Sequence, residues 1–173
     1  SEHGSANGIY AYSDIHINGG SVTAADDPYA VDGVTPLYSN GIYSETGDIT
    51  ITGRNTVVNA SAGCADEGVT AIMAEAGDIV INGGNVRADG ASTGSEYLPF
   101  GNGLRALEGG DGTGGNIILS GGTLAATGYT GSIHYGGKLI ARPASGEITV
   151  SVLDEWISGD GTWLPDWDKM AAD

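Results

Sequence analysis

The chain has 173 residues, a length that suits one domain. Its formal charge of −16, from 22 acidic against 6 basic residues, argues against nucleic acid and against an anionic membrane surface, both of which need a basic footprint. With 31 glycines, 5 prolines and Ile and Val as the main large apolar residues, it cannot fill a wide globular core, but it can fill a narrow one around which the backbone coils tightly.

In chain order, the first coil reads Asn7-Gly8-Ile9-Tyr10, then Asp14-Ile15-His16-Ile17-Asn18-Gly19, then Ser21-Val22-Thr23-Ala24. The second repeats this as Asn40-Gly41-Ile42-Tyr43, Asp48-Ile49-Thr50-Ile51-Thr52-Gly53 and Val57-Val58-Asn59-Ala60. The third reads Thr70-Ala71-Ile72-Met73, Asp78-Ile79-Val80-Ile81-Asn82-Gly83 and Asn85-Val86-Arg87-Ala88. The fourth reads Asn102-Gly103-Leu104-Arg105, Asn116-Ile117-Ile118-Leu119-Ser120-Gly121 and Thr123-Leu124-Ala125-Ala126. A degenerate fifth coil uses Lys138-Leu139-Ile140-Ala141 and Glu147-Ile148-Thr149-Val150. The first motif returns after 33, 30 and 32 residues, from Gly8 to Gly41, Ala71 and Gly103.

A fixed period of three short strands with glycine corners describes an all-β fold: a right-handed parallel β-helix, a three-sided solenoid of four to five coils. Antiparallel hairpins in a β-sandwich would not require the motif to recur. The strands alternate with period 2, so the aliphatic residues should stack inward as ladders about 4.8 Å apart. Asn18, Thr52, Asn82 and Ser120 should form a polar ladder at one corner. Residues 1–152 form the coils, and residues 153–173, with Trp156, Trp163 and Trp167, read as a C-terminal cap or a linker to a following domain.

The segments Gly-Ile-Tyr-Ser-Glu-Thr-Gly-Asp-Ile-Thr-Ile-Thr-Gly (41–53) and Gly-Asp-Ile-Val-Ile-Asn-Gly-Gly-Asn-Val (77–86) carry a resemblance. They resemble the β-helical carbohydrate-binding domains of surface proteins from anaerobic gut and cellulose-degrading bacteria. The group is similar in turn to parallel β-helix polysaccharide lyases, which use Ca²⁺ and a basic residue against acidic sugars. The resemblance implies a polysaccharide or glycan partner, an extracellular or cell-surface location and further domains of a longer protein. The chain departs from a lyase in its base: Lys138, Lys169, Arg54, Arg87, Arg105 and Arg142 form no obvious cluster.

Three sets of residues are candidate sites. With Ile9, Ile42, Ile72 and Leu104 inward, Tyr10, Tyr43, Met73 and Arg105 face out, as do Tyr12, Glu45, Glu75 and Leu107 two residues on. Tyr10, Tyr12, Tyr43, Glu45, Glu75 and Arg105 then make a strip of rings beside charges, suited to sugar C–H faces and hydroxyls. Glu45 and Glu75, on neighbouring coils about 5 Å apart, also meet the spacing of a retaining glycosidase. The second set is an Asp ladder, Asp14, Asp48 and Asp78, with Asn116 in the fourth coil; its stacked like charges need turn N–H donors or a cation. The third is the edge formed by the long loops 25–39, 61–69 and 89–101, where Asp26, Asp27, Asp32, Asp66 and Glu67 offer oxygens to Ca²⁺.

Other motifs have less chemistry. Gly109 to Gly115 is a glycine-rich corner loop that does not recur in tandem, as a calcium roll requires. His3, His16 and His134 are scattered, and Cys64, the sole cysteine, has no nearby activating base. The outward row His16, Thr50, Val80, Ile118 is not the flat threonine array of an ice-binding solenoid. The expected function is therefore a non-catalytic carbohydrate-binding module, assisted by calcium. The alternatives are a passive structural or adhesive segment and a polysaccharide lyase or glycosidase.

Overall fold

A computed structural model describes residues 5–25, 37–63, 65, 68–90, 101–128, 131–141, 149–152 and 157–158. The described residues contain fourteen strands and no helix. They are β1 (Ser5–Ala11), β2 (Ile15–Ile17), β3 (Ser21–Ala25), β4 (Tyr38–Ser44), β5 (Ile49–Thr52), β6 (Val57–Ser61) and β7 (Gly68–Ala74). There follow β8 (Ile79–Gly90), β9 (Gly101–Ala106), β10 (Ile117–Gly128), β11 (Gly131–Tyr135), β12 (Leu139–Ala141), β13 (Thr149–Val152) and β14 (Ile157–Ser158).

Every strand pairing is parallel, and neighbours in a sheet are distant in sequence. One sheet runs β1-β4-β7-β9-β11-β14. The other runs β12-β10-β8-β5-β2, with β3 and β6 joined to it through β8, and β13 through β10. Each strand thus pairs with its counterpart one repeat away, which is a β-solenoid and excludes a sandwich of hairpins. In β8 and β10 the second and third strands of the repeat run together as one strand of 12 residues, bent at a glycine crease.

The register shows why this sequence coils. Ile9, Ile42, Ile72, Leu104 and Ile133 form one ladder. Ile15, Ile49, Ile79, Ile117 and Leu139 form a second, and Ile17, Ile51, Ile81 and Leu119 a third. Val22, Val58, Val86 and Leu124 face these from the third row, beside an alanine ladder of Ala24, Ala60, Ala88 and Ala126. Ile42, Ile49, Ile51, Ile72, Ile79 and Ile81 are fully buried. Burying one such side chain contributes roughly 1.5–3 kcal/mol. The alanine row lets the third wall approach the first, so the core stays narrow.

The corners need glycine where coils touch backbone to backbone. Gly53, Gly83, Gly84 and Gly122 have φ of 91°, 135°, 82° and 89°, at the crease between the second and third rows. The expected ladder of Asn18, Thr52, Asn82 and Ser120 holds from Thr52 to Asn82 but is interrupted above it. There the bridge slips by one residue, placing Gly121 rather than Ser120 opposite Asn82, before register recovers at Thr123 and Asn85. The paired glycines Gly121 and Gly122 leave the backbone free to make that slip. Beyond residue 152, Ile157 and Ser158 pair with Ile133 and His134 of β11, while the tryptophans of the expected cap lie outside the described residues.

Two substitutions test this packing. Ile81→Ala should destabilise the chain by about 2–5 kcal/mol in urea unfolding, whereas Val80→Ala, on the outward side of the same strand, should cost less than about 1 kcal/mol. Gly77→Ala should be worse than its chemistry suggests, because its Cβ would strike the carbonyl of Gly47 one coil away.

Candidate functional site

The outward side of the first row assembles the residues that the alternation pattern groups. Tyr10 pairs with Tyr43, Tyr43 with Met73, Met73 with Arg105, and Arg105 with His134. The next outward column holds Tyr12, Glu45, Glu75 and Leu107. Backbone bonds just past the strand ends carry it, from Glu45 N–H to Ala11 O (3.1 Å), Glu75 N–H to Ser44 O (2.9 Å) and Leu107 N–H to Ala74 O (2.9 Å). Tyr10 and Tyr12 are 52% and 64% exposed, so the large rings stand on the surface rather than in the core.

Tyrosine and glutamate engage each other diagonally. The Tyr10 hydroxyl donates to Glu45 Oε2 at 2.5 Å, one coil on and two residues further along. The Tyr43 hydroxyl makes the same bond to Glu75 Oε2. The Tyr10 and Tyr43 ring centroids lie 5.6 Å apart with planes tilted by 37°. The bond to Glu45 is the main reason the Tyr10 phenol titrates above its ordinary value, with desolvation and the Glu45 charge adding to it. Tyr10 therefore remains a protonated donor with its ring orientation fixed.

A shallow depression of about 220 Å³ lies at the centre of the strip, between Tyr38, Asn40, Tyr43, Met73, Glu75 and Arg105. Arg105 is half-buried; desolvation lowers its pKa, while Tyr38 and Glu75 pull it back up. Asn40 belongs to a further ladder that the sequence reading missed: its Nδ2 donates to Asn7 Oδ1 at 2.9 Å, and Thr70 and Asn102 follow in register. His134 was also missed. It stands directly beyond Arg105, and its pKa is depressed first by burial and then by the Arg105 charge. The signal was weak: Ser132-Ile133-His134 occupies the places of Gly103-Leu104-Arg105, but the Asn-Gly that marks the first, second and fourth coils is lost.

The Asp ladder is satisfied within the protein. Asp14 Oδ1 accepts from Asp48 N–H at 3.0 Å, Asp48 Oδ1 from Asp78 N–H at 2.8 Å, and Asp78 Oδ1 from Asn116 N–H at 2.9 Å. Asn116 adds a side-chain bond, Nδ2 to Asp78 Oδ1 at 2.8 Å, and accepts in turn from Lys138 N–H at 2.9 Å. Each carboxylate thus caps the backbone of the coil after it. The offset to stacked charge is a row of N–H donors, with Asn116 and Lys138 ending the run of like charges.

Asp26, Asp27, Asp32, Asp66 and Glu67 lie outside the described residues, as do His3, Cys64 and Lys169. Among the described residues no three His, Cys, Asp or Glu side chains converge as metal ligands. The Gly109 to Gly115 loop is closed on itself. Glu108 and Gly114 form an antiparallel bridge, and Asp111 accepts from Thr113 N–H (3.0 Å) and Oγ1 (2.7 Å), which lowers the Asp111 pKa.

The fold and strip define a parallel β-solenoid with one aromatic and acidic outer face. Compared with family models, curated proteins and solved structures, the chain matches none.

Two variants separate hydrogen bonding from charge in the Asp ladder. Asp48→Ala should cost about 0.5–1.5 kcal/mol by leaving the Asp78 N–H without its acceptor. Asp48→Asn keeps an acceptor and can donate to Asp14 as Asn116 does to Asp78, so it should be neutral or stabilising in urea unfolding. His134 sets a pH test. Its folded pKa lies below the unfolded value of 6.5, so the unfolded chain takes up a proton first as pH falls. Its contribution is complete above the unfolded pKa and is lost as pH drops toward the folded one. His134→Gln should flatten the decline in urea midpoint just below that unfolded value; an unchanged slope would show that other groups cause it.

Proposed function

We propose that this chain is an extracellular, non-catalytic carbohydrate-binding module and that the outer face of the first strand row is its site. The observation that supports the reading most is the paired Tyr10 and Tyr43 rings, each locked by its hydroxyl onto a carboxylate of the next coil. Rings held in place before binding lose little conformational freedom when a ligand stacks on them. Tyr10, Tyr12 and Tyr43 supply faces for sugar C–H groups, and Glu45, Glu75 and Arg105 supply acceptors and a donor for hydroxyls. The Tyr10 and Tyr43 rings sit on successive coils with centroids 5.6 Å apart, so an extended ligand laid along the solenoid axis would meet both.

Binding is favoured over hydrolysis by the state of the two carboxylates. Glu45 is half-buried and Glu75 is exposed, and each already accepts a tyrosine hydroxyl. Neither lies in the apolar enclosure that a glycosidase acid uses to hold its proton. Calcium enters the proposal through Asp26, Asp27, Asp32, Asp66 and Glu67 on the loop edge, where it would offset part of the −16 charge.

Titration calorimetry against a panel of oligosaccharides tests the strip. Tyr43→Ala should weaken binding about fivefold to tenfold through lost stacking while leaving the coil folded, at a lowered melting temperature because the bond to Glu75 is lost with it. Equal affinity in the variant would remove the strip as the site. Thermal unfolding with Ca²⁺ against EDTA tests the ion separately: a folded-state ligand at about 100 times its Kd adds roughly 2.7 kcal/mol. An absent shift would leave the loop acids as surface charge.

A further inference from the structure

The strip is uneven in its chemistry, and the unevenness constrains what it can hold. At one end stand Tyr10, Tyr12, Tyr43, Glu45 and Glu75. Met73 stands between Tyr43 and Arg105 in the first column, and Tyr43, Glu75 and Arg105 line one depression. Arg105 is near enough to Glu75 for each to feel the other, but Glu45 lies a further coil away.

The Tyr10 and Tyr43 hydroxyls are spent on the carboxylates, which leaves their rings as the surface those tyrosines have for contact. A phenol that donates to a carboxylate gains electron density, and an electron-rich face attracts cations. Both bonds use Oε2 of the glutamate, and among the described residues no donor is assigned to either Oε1. An ionised carboxylate only accepts. The surface on offer is therefore ring faces alternating with carboxylate oxygens, within a protein of net charge −16. A neutral hydroxyl would meet the hydrogen-bonding need but leave uncompensated the charge of Glu45, which lies a coil further from Arg105 than Glu75 does. An ammonium meets both, through charge-assisted bonds to Oε1 and a cation–π contact with the adjacent ring. An acidic sugar would have to approach two carboxylates against the field of the whole chain.

We infer that the strip takes a cationic glycan, one whose residues carry free amino groups, of the glucosamine class. The inference rests on the carbohydrate-binding reading and narrows it. The sugar ring stacks on Tyr43 or Tyr10 while its ammonium lies against Glu45 and Glu75.

The test uses the full chain and three hexasaccharides in calorimetry: glucosamine, N-acetylglucosamine and cellohexaose. Glucosamine hexamer should bind at least about tenfold tighter than the acetylated one while its amines are protonated, and the margin should vanish when pH is raised to neutralise them. General attraction to an acidic protein is separated by Glu45→Gln with Glu75→Gln. Glutamine still accepts the tyrosine hydroxyls, so the strip keeps its geometry, and the overall charge remains strongly negative. Loss of the glucosamine preference in that variant supports the inference; an undiminished preference overturns it as diffuse charge. If cellohexaose or the acetylated hexamer binds as well as glucosamine and Tyr43→Ala weakens it, the amine inference fails and the carbohydrate reading stands. If none of the three binds, both fail.

Discussion

In a stack of parallel coils each residue sits against its own counterpart, about 4.8 Å away, in the coil before and the coil after. In the core and at the corners like faces like along the axis, and each such side chain must tolerate a neighbour of its own kind. Aliphatic residues do so without cost, and the isoleucine ladders of β2, β5, β8 and β10 are the result. Glycine does so where backbones touch, as at Gly47 and Gly77, because only a missing side chain leaves room. Carboxylates cannot stack on these terms unless something intervenes. At Asp14, Asp48 and Asp78 the intervening group is the next coil's own N–H, so a repulsive column becomes a row of caps. At Glu45 and Glu75 it is a tyrosine hydroxyl reaching diagonally from the preceding coil.

The same rule explains what could be read from the amino acids alone. The period of 33, 30 and 32 residues and the alternation in Asp48-Ile49-Thr50-Ile51 determine which side chains point inward, so the parallel solenoid and the outward grouping of Tyr10, Tyr43, Glu45 and Glu75 were both legible. The donors of the Asp ladder were not, because they are backbone atoms and leave no mark in residue type. His134 was illegible for another reason: its coil had lost the Asn-Gly by which the first, second and fourth announce themselves, and strand pairing restores its place beside Arg105. The slip at Gly121 was hidden because residue counts on the two strands agree. A local slip between equal segments changes no spacing.

Stacking also limits where function can reside. Inward positions are committed to the core and corner positions to glycine or capping, so only the outward rows and the loops have freedom of residue type. The outward row of the second strands carries His16, Thr50, Val80, Ile118 and Ile140, and that of the third carries Thr23, Asn59, Arg87 and Ala125. Most are small or branched groups that suit a half-exposed sheet, and His16 and Arg87 lie beside Asp14 and Asp89 at 3.9 and 3.8 Å. Among the described residues, the first row alone combines exposed rings, carboxylates bonded to them and a half-buried guanidinium.

That row departs from the rule governing the core, as the other outward rows do. Along it the counterparts are not alike: Tyr10 and Tyr43 give way to Met73, then Arg105, then His134. A column needed only for stability would gain by repeating whichever residue stacks best, as the isoleucines do. A column that changes character at each coil presents a sequence of different contacts along the axis, which a uniform ladder cannot. It therefore has polarity, aromatic and acidic at one end, apolar and then cationic at the other. An extended ligand lying on it would meet those contacts in a fixed order, so the strip can distinguish one direction of a chain from its reverse. Within this fold the outward rows, where like need not face like, are where recognition has room to operate, and the first row is the one that sets rings and carboxylates together.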